Sequence, residues 1–252
     1  MNIVLPLFYT LLGISIGSFI NVLIDRLPEG KSILSSPSHC DACKRRLSSL
    51  ELIPIASFIF LRGRCRTCQA KISPRSLWVE VITGLLFLLT WFRFGQSWET
   101  VLYTLYVCLL IIIAGIDLEH QKILNYLIYP AIGIALIMIP VLHREEAWMT
   151  LLGGLVGFGV LFLIALIAPG AMGMGDVKLI LFLGFIIGFP EIVITLFLAF
   201  VVGGLVAGVL LAQKKIGKKD SIAFGPYLAF AGVITLLVGT QILEWYLRRV
   251  GG

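Results

Sequence analysis

Asp117 and Asp176 are two carboxylates in positions where a charge is costly. Asp117 follows the apolar run Thr100–Ile116, and Asp176 follows a longer apolar run and ends the segment Gly173-Met174-Gly175-Asp176. A charge at the bilayer edge costs a few kcal/mol, so such residues usually face the protein interior or a wet cavity. Two carboxylates held close together share a proton, so one can activate water while the other protonates a carbonyl oxygen. The pair predicts aspartyl proteolysis within the membrane.

Each aspartate also has a purely structural interpretation. Asp117 could be an interfacial charge that ends a helix, and Asp176 could cap the free N–H groups of the next helix. Gly173 and Gly175 favour a functional role for Asp176, because they let another backbone approach it closely.

Four of the five cysteines form two C-x-x-C pairs, Cys40/Cys43 and Cys65/Cys68, with 21 residues between the pairs. Each pair can present two thiolates to one ion, and two pairs complete a tetrahedral site. Structural zinc is the leading interpretation, since four thiolates leave no open position for catalysis. An iron–sulfur centre, paired disulfides and His39 as a substitute ligand are weaker alternatives.

The composition is that of a polytopic membrane protein, with 59% hydrophobic and 13% charged residues among 252. A soluble domain would carry about twice that charged fraction. The sequence predicts an all-α fold with about eight transmembrane helices. The expected spans are 1–24, 76–92, 100–116, 123–142, 147–168, 177–190, 192–212 and 221–243. The segment 177–190 is the weakest, because about 14 residues at 1.5 Å each reach only about 21 Å.

The charge distribution predicts which loops face the cytoplasm. The loop from Asp25 to Arg75 holds ten Lys/Arg against four Asp/Glu, so the positive-inside rule places it inside. Counting crossings then puts Asp117, Asp176 and the basic loop Lys214–Lys219 on the same face. The net charge of +6 therefore reflects basic loops on the cytoplasmic side of the membrane, and no nucleic-acid partner is expected.

The motifs together resemble the bacterial type IV prepilin peptidases, a family of GxGD aspartyl proteases. Similar segments occur in order along nearly the whole chain: Gly17-Ser18-Phe19-Ile20-Asn21-Val22 through Arg26-Leu27-Pro28, the two cysteine pairs with Leu61-Arg62-Gly63-Arg64, Ile116-Asp117, Gly173-Met174-Gly175-Asp176-Val177-Lys178, and Ala223-Phe224-Gly225-Pro226-Tyr227-Leu228.

This resemblance implies a bifunctional enzyme of the bacterial inner membrane with its active site facing the cytoplasm. Asp117 and Asp176 would cleave the leaders of type IV prepilins and pseudopilins, typically between glycine and phenylalanine. The cysteine loop region would then methylate the new N-terminal amine from S-adenosylmethionine. The expected division is a first transmembrane helix at 1–25, a zinc-binding loop at 26–75 and a protease domain at 76–252. The sequence assigns no residues to the methyl donor.

Two other functions fit parts of the sequence. A transporter or channel with a structural zinc loop would use the aspartates as a proton or cation path. A zinc-bearing assembly factor would hold pilin subunits and would not need the carboxylates for chemistry.

Overall fold

The computed structural model describes residues 3–33, 37–142, 145–170, 172–215, 217 and 222–250. Within these ranges the chain is helical and contains no strand. The helices are α1 Val4–Arg26, α2 Ala56–Phe60, α3 Pro74–Phe94, α4 Trp98–His120, α5 Asn125–Leu142, α6 Ala147–Ile167, α7 Met174–Ile187, α8 Glu191–Ala212 and α9 Gly225–Val250, with a 3₁₀ turn at Ser49–Leu52. The predicted all-α fold is confirmed.

Seven of the nine described helices are long and apolar enough to cross a membrane, and the exceptions are α7 and the five-residue α2. Helix α7 has 14 residues, which at 1.5 Å per residue reach about 21 Å. The predicted eight spans are thus seven long helices and this short one. The beginnings of the first and last predicted spans, at 1–2 and 221, lie outside the described residues, as do Ile216, Lys218 and Lys219 of the basic loop.

The chain divides into two compact units, Met1–Ile112 and Ile113–Gly252, and the division falls within α4. In the first unit α1 packs along α3. A Cβ added to Gly17 would lie 2.8 Å from the Cα atom of Glu80, so the two helices approach closely there. The Tyr9 ring of α1 packs against the Phe87 ring of α3 with the two ring centres 5.2 Å apart, and the Tyr9 hydroxyl lies 2.6 Å from Thr104 Oγ1 of α4.

The second unit is built around α7, which packs against α5, α6 and α9. Nine of its 14 residues are buried. The approach of α6 depends on small residues: a Cβ on Gly184 would lie 2.5 Å from the Cα atom of Gly154. Small residues such as Gly154 thus let α6 and α7 pack closely. A helix enclosed in this way need not match the bilayer thickness, because its side chains contact protein instead of lipid.

Candidate active site and metal site

Asp117 lies near the carboxyl end of α4 and is 5% exposed. Its Oδ2 atom accepts a hydrogen bond of 3.0 Å from the backbone N–H of Gly225, the first residue of α9. The amino end of a helix leaves several backbone N–H groups without helical partners. The amino end of α9 therefore provides a donor that fixes the position of the Asp117 carboxyl.

Asp176 lies in the first turn of α7 and is 8% exposed. Its N–H donates to the carbonyl of Gly173, the N-cap residue, at 3.0 Å. A Cβ added to Gly173 would lie 3.0 Å from Asp176 Oδ2, which shows that the side chain folds back over the helix start. Asp176 thus lies in the first turn of α7, and its carboxyl accepts a hydrogen bond from the backbone of Gly173, as a carboxylate that caps a helix start does.

The two carboxyls stand on different helices of the second unit, and the residues next to them meet at Ile123. Ile123, in the link between α4 and α5, contacts both Gly175, which precedes Asp176, and Gly225, which donates to Asp117. A Cβ added to Gly175 would be 2.9 Å from Ile123 Cβ, and one added to Gly225 would be 3.4 Å from Ile123 Cδ1. Two buried carboxyls in this arrangement can share one proton, which suits general acid–base chemistry.

Contacts of α7 with α5, and of α9 with Asp117, were not predicted from the sequence. Lys178, on α7, donates to Asn125 Oδ1 at 2.8 Å and lies 4.7 Å from the centre of the Tyr129 ring. These contacts join α7 to α5. Gly225 stands within a segment that carried the family resemblance, so its position was visible in the sequence, but its hydrogen bond to Asp117 was not.

The two cysteine pairs of the first unit have the same backbone design. Cys40 N–H donates to Arg45 and Cys65 N–H donates to Ala70, both at 2.9 Å. In each turn the residue after the second cysteine has positive φ: Lys44 at 56° and Gln69 at 58°. The chain therefore makes two equivalent knuckles, and each one directs a pair of sulfur atoms to the same side.

The four sulfur atoms come together in one cluster. All lie within 4.8 Å of one another, and Cys40 Sγ is 3.7 Å from Cys68 Sγ. Tetrahedral Zn–S bonds of about 2.3 Å place thiolates about 3.8 Å apart, so the spacing fits a four-cysteine metal site. It is too long for a disulfide, and the four cysteines are free thiols.

The first cysteine of each knuckle is favoured as a thiolate, the form that binds metal, whereas burial and the neighbouring sulfur atoms raise the pKa of Cys68 to about 11. Backbone N–H groups of Cys68 and Thr67 lower the pKa of the Cys65 thiol to about 6. The N–H groups of Cys43 and Ala42 likewise lower the pKa of Cys40.

An ion pair fixes the first knuckle to the 3₁₀ turn. Arg45 binds Glu51 with two hydrogen bonds, of 2.6 and 3.1 Å, and Ser48 completes a capping box with the same carboxylate. The guanidinium of Arg45 lowers the pKa of Glu51 to about 2. Within the described residues His39 is not part of the sulfur cluster; its Nδ1 atom lies 3.3 Å from the carbonyl oxygen of Pro37.

The architecture is that of a multi-pass helical membrane protein with a buried carboxyl pair and a cysteine cluster that can hold a metal. Residues 11–94 match the profile of the Bacterial Peptidase A24 N-terminal domain. Residues 104–208 match the profile of the Type IV leader peptidase family. The chain belongs to this family, as its motifs predicted, and is a peptidase with methyltransferase activity.

Relatives extend the similarity over nearly the whole chain. A protein of Bacillus subtilis (strain 168) is 31% identical over 95% of this chain and 97% of its own. One of Stutzerimonas stutzeri is 33% identical over 94% and 92%, and one of Aeromonas salmonicida (strain A449) is 32% identical over 95% and 93%. Each carries the name prepilin leader peptidase/N-methyltransferase. No solved structure gives a significant match.

Proposed function

We propose that this protein removes the leaders of type IV prepilins and pseudopilins, with Asp117 and Asp176 as its catalytic pair. The observation that supports the proposal is the burial of both carboxyls, Asp176 in the first turn of α7 and Asp117 on α4 against the start of α9, in a chain of the leader peptidase family. Burial disfavours two adjacent negative charges, so the pair holds one proton.

The shared proton gives each carboxyl a role in peptide hydrolysis. The ionised carboxyl takes a proton from water as the water oxygen attacks the scissile carbonyl carbon. The protonated carboxyl gives its proton to the carbonyl oxygen. When the tetrahedral intermediate collapses, the C–N bond breaks and a proton passes to the leaving amine. The N–H of Gly225 keeps the Asp117 carboxyl in place through these steps.

The proposed site faces the cytoplasm of a bacterial inner membrane. Support comes from the loop between α1 and α3, where ten Lys/Arg outnumber four Asp/Glu between residues 25 and 75. Seven helices that can span the bilayer, together with α7, allow the carboxyl pair to open on that same side.

The second proposed reaction is methylation of the amine that cleavage releases. S-adenosylmethionine, when bound, supplies the methyl group. Zinc would be held by the four thiolates of Cys40, Cys43, Cys65 and Cys68, which leave no coordination position open for water. The metal would therefore stabilise the fold of the loop and would not activate water. The residues of this loop would then shape the site in which the released amine is held.

The masses of the reaction products test both reactions. Purified wild-type and Asp176→Asn proteins are mixed in detergent with a prepilin that has a Gly–Phe junction. Wild-type protein should remove the leader, and one added methyl mass should appear only with S-adenosylmethionine present. Full cleavage by Asp176→Asn would contradict the proposed pair. Intact substrate with both proteins, together with Asp-dependent ion flux in proteoliposomes, would favour a transporter.

A further inference from the structure

A cavity of about 340 Å³ lies in the first unit between α1, α3 and the cysteine loop. Its volume is in the range of small-molecule sites, about 300–1,000 Å³. The lining residues used below are Asn21, Ser57, Lys71 and Glu80. The cavity meets the carboxyl end of α1 and the amino end of α3, next to the loop that the positive-inside rule assigns to the cytoplasm. A cytoplasmic metabolite could therefore reach it from that side.

Asn21 places an unused hydrogen-bond acceptor in the cavity wall. The residue is 7% exposed, and its Nδ2 atom donates to the carbonyls of Gly17 and Ser76. Its Oδ1 atom has no hydrogen-bond partner among the residues that the structure describes. A buried acceptor without a donor costs free energy, so a ligand that supplies an N–H or O–H group would satisfy it.

Glu80 places a carboxylate in the same wall without a cation to balance it. The residue is 8% exposed, and its Oε2 atom accepts the N–H of Ile55 at 2.7 Å. Arg75, the nearby arginine of α3, pairs with Asp25 at 2.5 Å. Among the described residues Glu80 makes no ion pair. A buried carboxylate of this kind favours a cationic ligand group.

The backbone beside Glu80 is held in a strained conformation. Ile55 has φ 60° and ψ −54°, which is rare for a β-branched residue. Such residues cluster at ligand-binding segments, where the surrounding structure enforces them. The hydrogen bond from Ile55 to Glu80 therefore connects the segment before α2 to the carboxylate that lines the cavity.

We propose that this cavity binds S-adenosylmethionine, with Glu80 facing its cationic end and Asn21 Oδ1 accepting a hydrogen bond from it. The ligand carries a sulfonium, an ammonium, a carboxylate, ribose hydroxyls and an adenine amino group. Lys71 adds a positive charge to the lining for the ligand carboxylate. The inference rests on the proposed use of this methyl donor and adds the residues that hold it.

Equilibrium dialysis of radiolabelled S-adenosylmethionine against the full-length protein in detergent tests the site without measuring turnover. Glu80→Gln keeps the shape and an acceptor for Ile55 but removes the charge, and should weaken binding at least tenfold. Ser57→Phe places a ring in the cavity and should abolish saturable binding. Glu99→Gln removes a carboxylate from the first turn of α4, outside the cavity lining, and should bind like wild type.

Zinc content and leader cleavage are measured on every sample, so that a folding defect is visible. If Glu80→Gln loses zinc, its weaker binding could reflect misfolding, and the binding measured for Ser57→Phe then tests the site. Wild-type affinity in both cavity variants would overturn the site while leaving the proposed function intact. A wild-type protein that cleaves leaders but neither binds S-adenosylmethionine nor methylates would overturn the proposed cofactor instead. If only the assignment to this cavity were wrong, the wild-type protein would still bind S-adenosylmethionine elsewhere, so the two failures can be told apart.

Discussion

The four cysteines lie in two short turns of the same design, whereas the two aspartates stand on different helices. In each knuckle the groups that orient a sulfur atom are backbone N–H groups within five residues of it. The donor that orients Asp117 is 108 residues away, at Gly225. The cysteine site is therefore set by local turns and by the metal that they can hold, while the aspartate site depends on how α4, α7 and α9 pack.

This difference predicts which changes each site tolerates. A site built from local turns should fail when its own ligands or metal are removed, and it should be insensitive to distant helix contacts. A site built from packed helices should fail when a contact at a helix end is altered by one methyl group, even where no carboxylate is touched. The following predictions start with the largest expected effect.

Asp117→Asn and Asp176→Asn should each reduce leader cleavage by about 10²–10⁴-fold, because each removes one partner of an acid–base pair. The double variant should be no worse than either single one, since the two carboxyls act as a unit. Initial cleavage rates with a prepilin substrate measure this. Zinc content should remain at the wild-type level in all three proteins. Strict additivity of the two losses would show that the aspartates act independently.

Removing the metal should damage the first unit and largely spare cleavage. Cys65→Ser, or treatment with a strong chelator, should release zinc and open the loop to protease, because structural zinc supplies folding free energy. Methylation should then be lost, and cleavage should stay within a few-fold of wild type. Cys108→Ser, in the span α4, is the matched control and should retain zinc. A loss of cleavage as large as that of Asp176→Asn would show that cleavage needs the metal site.

The sequence predicted more of the cysteine site than of the aspartate site for the same physical reason. Two C-x-x-C pairs specify their own turns, so the cluster of Cys40, Cys43, Cys65 and Cys68 followed from spacing. Hydropathy and charge likewise predicted the long helices, because the bilayer imposes one length on all of them. The short helix α7 was the weakest span for that same reason: protein neighbours replace lipid around it.

Contacts between distant segments were not predictable from one sequence. Nothing in the residues around Asp117 indicates that Gly225 donates to it, and nothing around Glu80 indicates that Ile55 does. The ion pair of Arg75 on α3 with Asp25 on α1 likewise joins residues that are 50 positions apart in the sequence. Such partners depend on tertiary packing, which local periodicity does not encode.

Gly225→Ala tests whether helix packing alone positions Asp117. The added Cβ would lie 2.6 Å from Asp117 Oδ2 and 3.2 Å from its Cγ, so the carboxyl or the start of α9 must move. A displacement of about 1 Å can lower a rate about 10²-fold, and we expect a loss of that order in cleavage. Gly159→Ala is the control, because its Cβ would meet nothing within 4 Å. Equal cleavage by the two variants would refute this role for Gly225.

Lys178→Met should have the smallest effect, because it removes a contact near the aspartates without touching them. The variant loses the hydrogen bond to Asn125 and the position over the Tyr129 ring. A cation–π contact at an exposed site contributes about 0.5–1 kcal/mol. For a chain of this size such a loss lowers the melting temperature by about 1–4 °C, while cleavage should stay within about twofold. Lys122→Met removes the same charge from the link before α5, and it should melt at the wild-type temperature. Equal melting temperatures for the two variants would show that Lys178 does not stabilise the packing of α5 against α7. The position of the aspartates would then depend on contacts at helix ends, such as the hydrogen bond from Gly225 to Asp117.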